Sequence, residues 1–124
     1  MPTTTQKQKL VTKQVDFKNA GESKQINLKI YREFRHMKCL SFSASIYLPL
    51  ANMSRLEINE NTGRLDGEIP VNLFSPLEGG KPFEINQTLS TDKEVKLELV
   101  DRTPQEGFKP YTIYTTFELH EQEA

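Results

Sequence analysis

The sequence predicts an all-β fold, an antiparallel two-sheet β-sandwich or jelly roll of about eight strands. Three observations lead there. Apolar residues alternate with polar ones at period two in Ile26-Leu28-Ile30, Leu40-Phe42-Ala44-Ile46-Leu48 and Val95-Leu97-Leu99, the signature of strands with one buried face. Such stretches recur at spacings of roughly 8 to 15 residues with turn residues between them. No window fits a helical period better than a strand period, and the alternating segments are rich in β-branched and aromatic side chains. A mean hydropathy of -0.61 agrees with strands that wet one face. At 124 residues the chain suffices for one two-layer core.

Residues 1–9 hold only Met, Pro, Thr, Gln and Lys, with Lys7 and Lys9 as their charges, and nothing there can anchor in a core. They are expected to form a flexible or partner-bound arm ahead of a single sandwich domain over 10–124. Strands are expected at about 10–17, 24–35, 39–49, 54–60, 64–74, 82–88, 94–101 and 111–119. Asn19 to Ser23 separates the first two. Glu60-Asn61-Thr62-Gly63 is expected to close a hairpin, with Gly63 at positive φ. Pro49 should end the third strand. Pro70, without an N–H for a ladder, marks an edge or bulge. Two connections, 75–82 and 102–110, carry prolines near their ends and glycines between, which suits loops of fixed shape.

The expected core follows from the alternation: Val15, Phe17, Ile26, Leu28, Ile30, Phe34, Leu40, Phe42, Ala44, Ile46, Leu48, Leu56, Ile58, Ile69, Val71, Leu73, Phe83, Ile85, Val95, Leu97, Leu99, Ile113, Phe117 and Leu119. Arg32 shares the phase of Ile30 and Phe34, which places it at a sheet end.

Chemistry is sparse. His36 and Cys39 lie three apart beside Arg35 and Lys38, a neighbourhood that stabilises a thiolate, but a turn histidine and a small strand cysteine account for both without catalysis. The sequence has no nucleophile elbow, no H-E-x-x-H and no phosphate-binding glycine loop, so no enzyme activity, cofactor or metal is expected. Glu57, Asn59, Glu60, Asp66 and Glu68 cluster near the hairpin but lack calcium-loop spacing, and read as a solvated face with Arg55 and Arg64 as counter-charges. The sequons at Asn52 and Asn86 would matter only in a eukaryotic secretory pathway.

A single cysteine allows no internal disulfide, which favours a reducing compartment or a particle assembled in one. No signal peptide and no membrane-spanning segment is expected. Net charge is -1 overall, but residues 1–62 carry +5 and residues 63–124 carry -6, fields that interleaved strands would cancel.

These features point to a non-enzymatic structural, assembly or adhesion protein. A protomer of a larger complex such as a viral capsid, spike or tail component fits, with protein partners and a homo-oligomer as the expected association. The expected contact residues are Lys7 and Lys9 on the arm and Phe108 and Lys109 on the 102–110 loop, where Phe108 is read as an exposed ring. An alternative is single-stranded nucleic-acid binding by Lys29, Tyr31, Arg35 and Lys38, cations beside an aromatic on the polar face of the second strand. A second alternative is a carbohydrate- or lipid-binding sandwich using Tyr111 and Tyr114.

Overall fold

The computed structural model describes residues 7–121, so the first six residues of the expected arm lie outside it. Eight strands form: β1 Gln8–Phe17, β2 Ser23–Leu28, β3 His36–Ala44, β4 Ala51–Glu57, β5 Ile69–Pro70, β6 Phe83–Thr88, β7 Val95–Asp101 and β8 Tyr111–His120. They make two antiparallel four-stranded sheets, ordered β1-β8-β3-β6 and β2-β7-β4-β5. Strand one pairs with eight, two with seven, three with six and four with five. The chain is therefore one long hairpin, bent at β4–β5 and rolled up, which is jelly-roll connectivity.

Two strands stop where a neighbour does. The third strand ends at Ala44 rather than running to Pro49, because β8 begins at Tyr111, just after Pro110, and Ser45 makes the last pairing through Thr112. Beyond it Leu48 takes a positive φ of 47°. Ile46 and Leu48, expected in the core, are exposed instead. The second strand ends at Leu28, opposite Val95, the first residue of β7, so Lys29 to Arg35 form a loop around a Tyr31–Phe34 turn. The expected fifth strand shrinks to Ile69–Pro70 at the sheet edge, where proline lacks the donor for a second ladder. Val71–Phe74 and Pro76–Glu78 continue as 3₁₀ turns, and the change of period turns Leu73 outward.

The hairpin turn also shifts. Ile58 and Asn61 exchange backbone hydrogen bonds of 3.1 and 2.9 Å around Asn59 and Glu60, both at positive φ. That is a two-residue turn of type I′, and Gly63 is not its hinge. Asn59 holds it in place, donating to the Thr88 carbonyl at 2.9 Å and accepting from the Ser90 N–H at 2.7 Å.

The core lies between the sheets, with Phe17, Leu40, Met53, Leu97, Ile113 and Phe117 fully buried. Most of the expected core is there, and Val11, Met37, Ala51, Met53, Leu89 and Tyr111 join it. Two bulges explain part of the addition. Register shifts between Met37 and Cys39, and between Met53 and Arg55, each insert one residue, so Met37 and Leu40 both face inward, as do Met53 and Leu56. A strict period of two hides such pairs, because a bulge resets the phase.

Antiparallel connectivity puts loops 18–22, 45–50, 71–82 and 102–110 at one end of the sandwich. Loops 29–35, 58–68 and 89–94 lie at the other, with the last described residues of both chain ends.

Candidate functional site

The end formed by loops 18–22, 45–50, 71–82 and 102–110 gathers both proline-bearing connections and most of the exposed large apolar residues. Ile46, Tyr47, Leu48 and Leu50 come from one loop, Leu73 and Leu77 from its neighbour. Tyr47 is 81% exposed and Leu77 86%. The two loops are tied together: the Leu48 N–H donates to Glu78 Oε1 at 2.9 Å, and Asn72 Nδ2 donates to the Pro49 carbonyl at 3.1 Å. Within the second loop, the Gly80 N–H donates to the Ser75 carbonyl at 2.9 Å. A side chain at Gly80 would meet the Leu73 carbonyl oxygen at 2.6 Å, so this close backbone approach requires glycine.

The apolar platform stands on buried structure. A narrow cleft beneath it is lined by Phe42, Pro49, Val71, Asn72 and Glu78 among others. Asp101 anchors the adjoining loops: its carboxylate is fully buried and accepts from the Gly21 N–H at 3.0 Å, the Thr103 N–H at 3.1 Å, the Thr103 hydroxyl at 2.7 Å and the Tyr111 hydroxyl at 2.5 Å. Burial alone would push this carboxyl up; hydrogen bonds from Tyr111, Gly21 and Thr103 outweigh it and hold Asp101 below its ordinary value. Burial and the same carboxylate push the Tyr111 phenol above its ordinary range. Next to it, the Arg102 N–H donates to the Leu50 carbonyl at 2.6 Å, joining the anchored loop to the platform. The Arg102 guanidinium forms a two-pronged ion pair with Glu68, and the Arg102 and Asn52 hydrogen bonds bring the Glu68 carboxyl down to about 2.

The expected contact residues are distributed differently. Phe108 is not held out in solvent: it is half-buried against the core, its ring centroid 6.0 Å from that of Tyr111, which in turn stacks on Phe17 at 5.2 Å. Phe108→Ser is therefore expected to cost about 2 kcal/mol of monomer stability in a denaturant titration. Lys109 beside it is exposed. Lys9 belongs to β1, not to an arm, and its ammonium lies 5.0 Å from the Tyr31 ring centre and 5.9 Å from that of Phe34. Lys7 is exposed and its backbone pairs with Glu121.

The set Lys29, Tyr31, Arg35 and Lys38 does not share a strand face. The first three lie on the 29–35 loop, Arg35 is half-buried, and Lys38 sits in β3 with Glu118 at 4.0 Å. One face of Tyr31 already carries Lys9, which leaves less π-surface for a base. Tyr111 is buried with its hydroxyl bound to Asp101, so it offers no stacking surface to a sugar, while Tyr114 is half-buried on the outer face of β8.

The hairpin carboxylates are dispersed. Glu57 lies 3.8 Å from Lys96, Glu60 pairs with Lys93 at 2.8 Å, and Glu68 turns to Arg102. An open groove of about 490 Å³ between Glu57, Glu60, Asp92, Lys93, Glu94 and Lys96 is walled by these charges, which compensate one another.

No protein family matches this chain, and no curated protein or solved structure shows significant similarity to it. Among the described residues no helix is long and apolar enough to cross a membrane.

Proposed function

We propose that this protein is a non-enzymatic assembly subunit that self-associates through the apolar loop end of its jelly roll. The observation that carries this reading is the platform of Ile46, Tyr47, Leu48, Leu50, Leu73 and Leu77. These side chains expose on the order of 600 Å², the upper end of what a soluble monomer leaves uncovered. That approaches the roughly 800 Å² each partner contributes to a standard interface.

The platform suits a second copy of the chain. Residues 45–50 carry no charge, and the one charged side chain between 71 and 80 is Glu78, already bound to the Leu48 N–H. Two such surfaces meet without like-charge repulsion, and charge depletion with an exposed tyrosine is typical of interface cores. The loops are braced before any partner arrives, which lowers the ordering cost of association. Viral capsid subunits, lectins and cupins all use jelly rolls, so the fold alone selects none of them. The platform favours the subunit of a larger particle.

Light scattering on the purified chain tests this. The expected species is a multiple of 14.3 kDa. The double variant Tyr47→Asp and Leu77→Asp is expected to be monomeric with a nearly unchanged melting temperature at matched low concentration, since both side chains are already in water. A wild-type protein that stays monomeric at the highest attainable concentration defeats the proposal.

A further inference from the structure

The two sheets use the polar side chains of their outer faces differently. On the β2-β7-β4 face they are spent on one another: Gln25 donates to Asn27, Ser54 donates to Glu98, and Glu57 pairs with Arg55 and Lys96. The β1-β8-β3 face leaves a group of them open. Gln14, Tyr114 and Ser43 stand opposite one another in one row across the three strands, and Thr12, Thr116 and Ser41 in the next. Directly opposed residues project to the same side. That side is the outer one, because the adjacent Phe42, Ile113 and Thr115 are buried. Among the described residues the side chains of Gln14, Tyr114, Ser41 and Ser43 have no hydrogen-bond partner. None of the six side chains in these rows carries a charge.

We propose that this face binds a neutral oligosaccharide, with the Tyr114 ring against one sugar unit and Gln14, Ser41 and Ser43 as its hydrogen-bonding partners. A sugar presents hydroxyls that both donate and accept, together with an apolar C–H face. Hydroxyl and amide side chains answer the first, since each can donate and accept at once. A half-buried tyrosine answers the second, because it offers a flat apolar ring with a polar tip. With Asp16, Thr112 and Ser45 as a third row, strand spacing makes the patch about 10 Å wide and about 13 Å long.

Charge separates this ligand from other partners. The rows at either end of the uncharged pair bring carboxylates, Asp16 at one and Glu118 at the other, which repel a phosphate backbone. A protein partner is held by an apolar centre, whereas Leu10, the large apolar side chain bordering the patch, lies at its β1 corner opposite Glu118. The surroundings of the open groups are already fixed. The Thr12 and Thr116 hydroxyls share a hydrogen bond of 3.1 Å, the Thr112 hydroxyl donates to Asp16 Oδ1 at 2.6 Å, and the Thr112 N–H donates to Ser45 Oγ at 2.8 Å. Binding therefore orders few side chains, which lowers its cost.

Heteronuclear NMR titration of the isotope-labelled full chain with cellohexaose, maltohexaose and mannohexaose tests the face. At least one of them is expected to shift the amides of Gln14, Ser41, Ser43 and Tyr114 and to leave those of Gln25, Asn27 and Lys96 on the opposite sheet in place. Tyr114→Ala should weaken binding about tenfold or more, and Gln14→Ala and Ser43→Ala roughly threefold each. Circular dichroism confirms that each variant folds. If Tyr114→Ala does not, Tyr114→Thr, a strand-forming replacement without a ring, takes its place with the same expected loss. The double variant Tyr47→Asp and Leu77→Asp should bind the sugar as the wild type does, so this site and the self-association surface stand or fall separately. No shift with any of the three sugars at about 10 mM, or unchanged affinity in the folded Tyr114 variant, overturns the proposal. Shifts of the same amides on concentrating the protein without sugar would assign the face to a second copy and overturn it as well.

Discussion

Asp101→Ala is expected to destabilise the fold by about 3–5 kcal/mol, as removal of a buried, fully hydrogen-bonded charge does. Four donor groups from Gly21, Thr103 and Tyr111 converge on this one carboxylate, and none of them finds a substitute acceptor in a methyl group. The Tyr111 hydroxyl is left buried and unpaired, and loops 18–22 and 102–110 lose their common fastening. Asp101→Asn keeps the shape but turns one acceptor into a donor that faces donors, so a cost of about 2–3 kcal/mol is expected.

The pH dependence has a definite sign. The folded carboxyl titrates below its ordinary value, whereas the unfolded one titrates near 3.9. The stability Asp101 contributes is therefore fully present above the unfolded value and is lost as pH falls through the lower, folded one. Urea titrations from pH 7 to pH 2 should show a gap between wild type and Asp101→Asn that is constant above about pH 5 and narrows below about pH 4. A gap independent of pH would mean that the carboxylate is not charged in the folded state.

Reading the sequence recovered the architecture because burial on one sheet face is written as alternation. It misplaced elements where a cause outside the strand decides. Nothing in Ser45 to Leu48 says that β8 starts only after Pro110, yet that missing neighbour ends β3 and exposes Ile46 and Leu48. Met37 and Met53 were hidden by bulges, although an apolar pair three residues apart, Met37 with Leu40 and Met53 with Leu56, carries the trace of one. Asp101 gave no signal at all, since three of its four donors come from loop positions and the fourth from the start of β8, groups that meet only after folding.

The candidate surface was half legible. Both proline-bearing loops could be read as rigid, but that they share an end with residues 45–50 follows only from the roll of the chain. An unbroken apolar run, Ile46-Tyr47-Leu48-Pro49-Leu50-Ala51, was the clue: a strand with one wet face does not carry six apolar residues in succession. Phe108 misled for the opposite reason. Flanked by Gly107 and Lys109, it reads as exposed, yet the 102–110 loop folds it back toward Tyr111.

Phe42→Ala is expected to cost about 3–5 kcal/mol, while Ser43→Ala, on the outer face of the same strand, costs less than about 0.5. Phe42 is 3% exposed and lines the cleft beneath the apolar platform, with Val71 and Pro49 on its loop side and Ile113 on β8. Truncating the ring removes the floor on which loops 45–50 and 71–80 rest, so the loss should exceed that of a methylene deletion elsewhere in the core. It should also soften the platform: hydrogen exchange at the Leu48 and Gly80 amides, bonded to Glu78 and the Ser75 carbonyl, should quicken before the central strands open. Because a platform that is no longer held in shape associates poorly, self-association should weaken in Phe42→Ala even where the monomer remains folded. Unchanged amide protection there, alongside the stability loss, would show that the two loops hold their form through Glu78 and Asn72 alone.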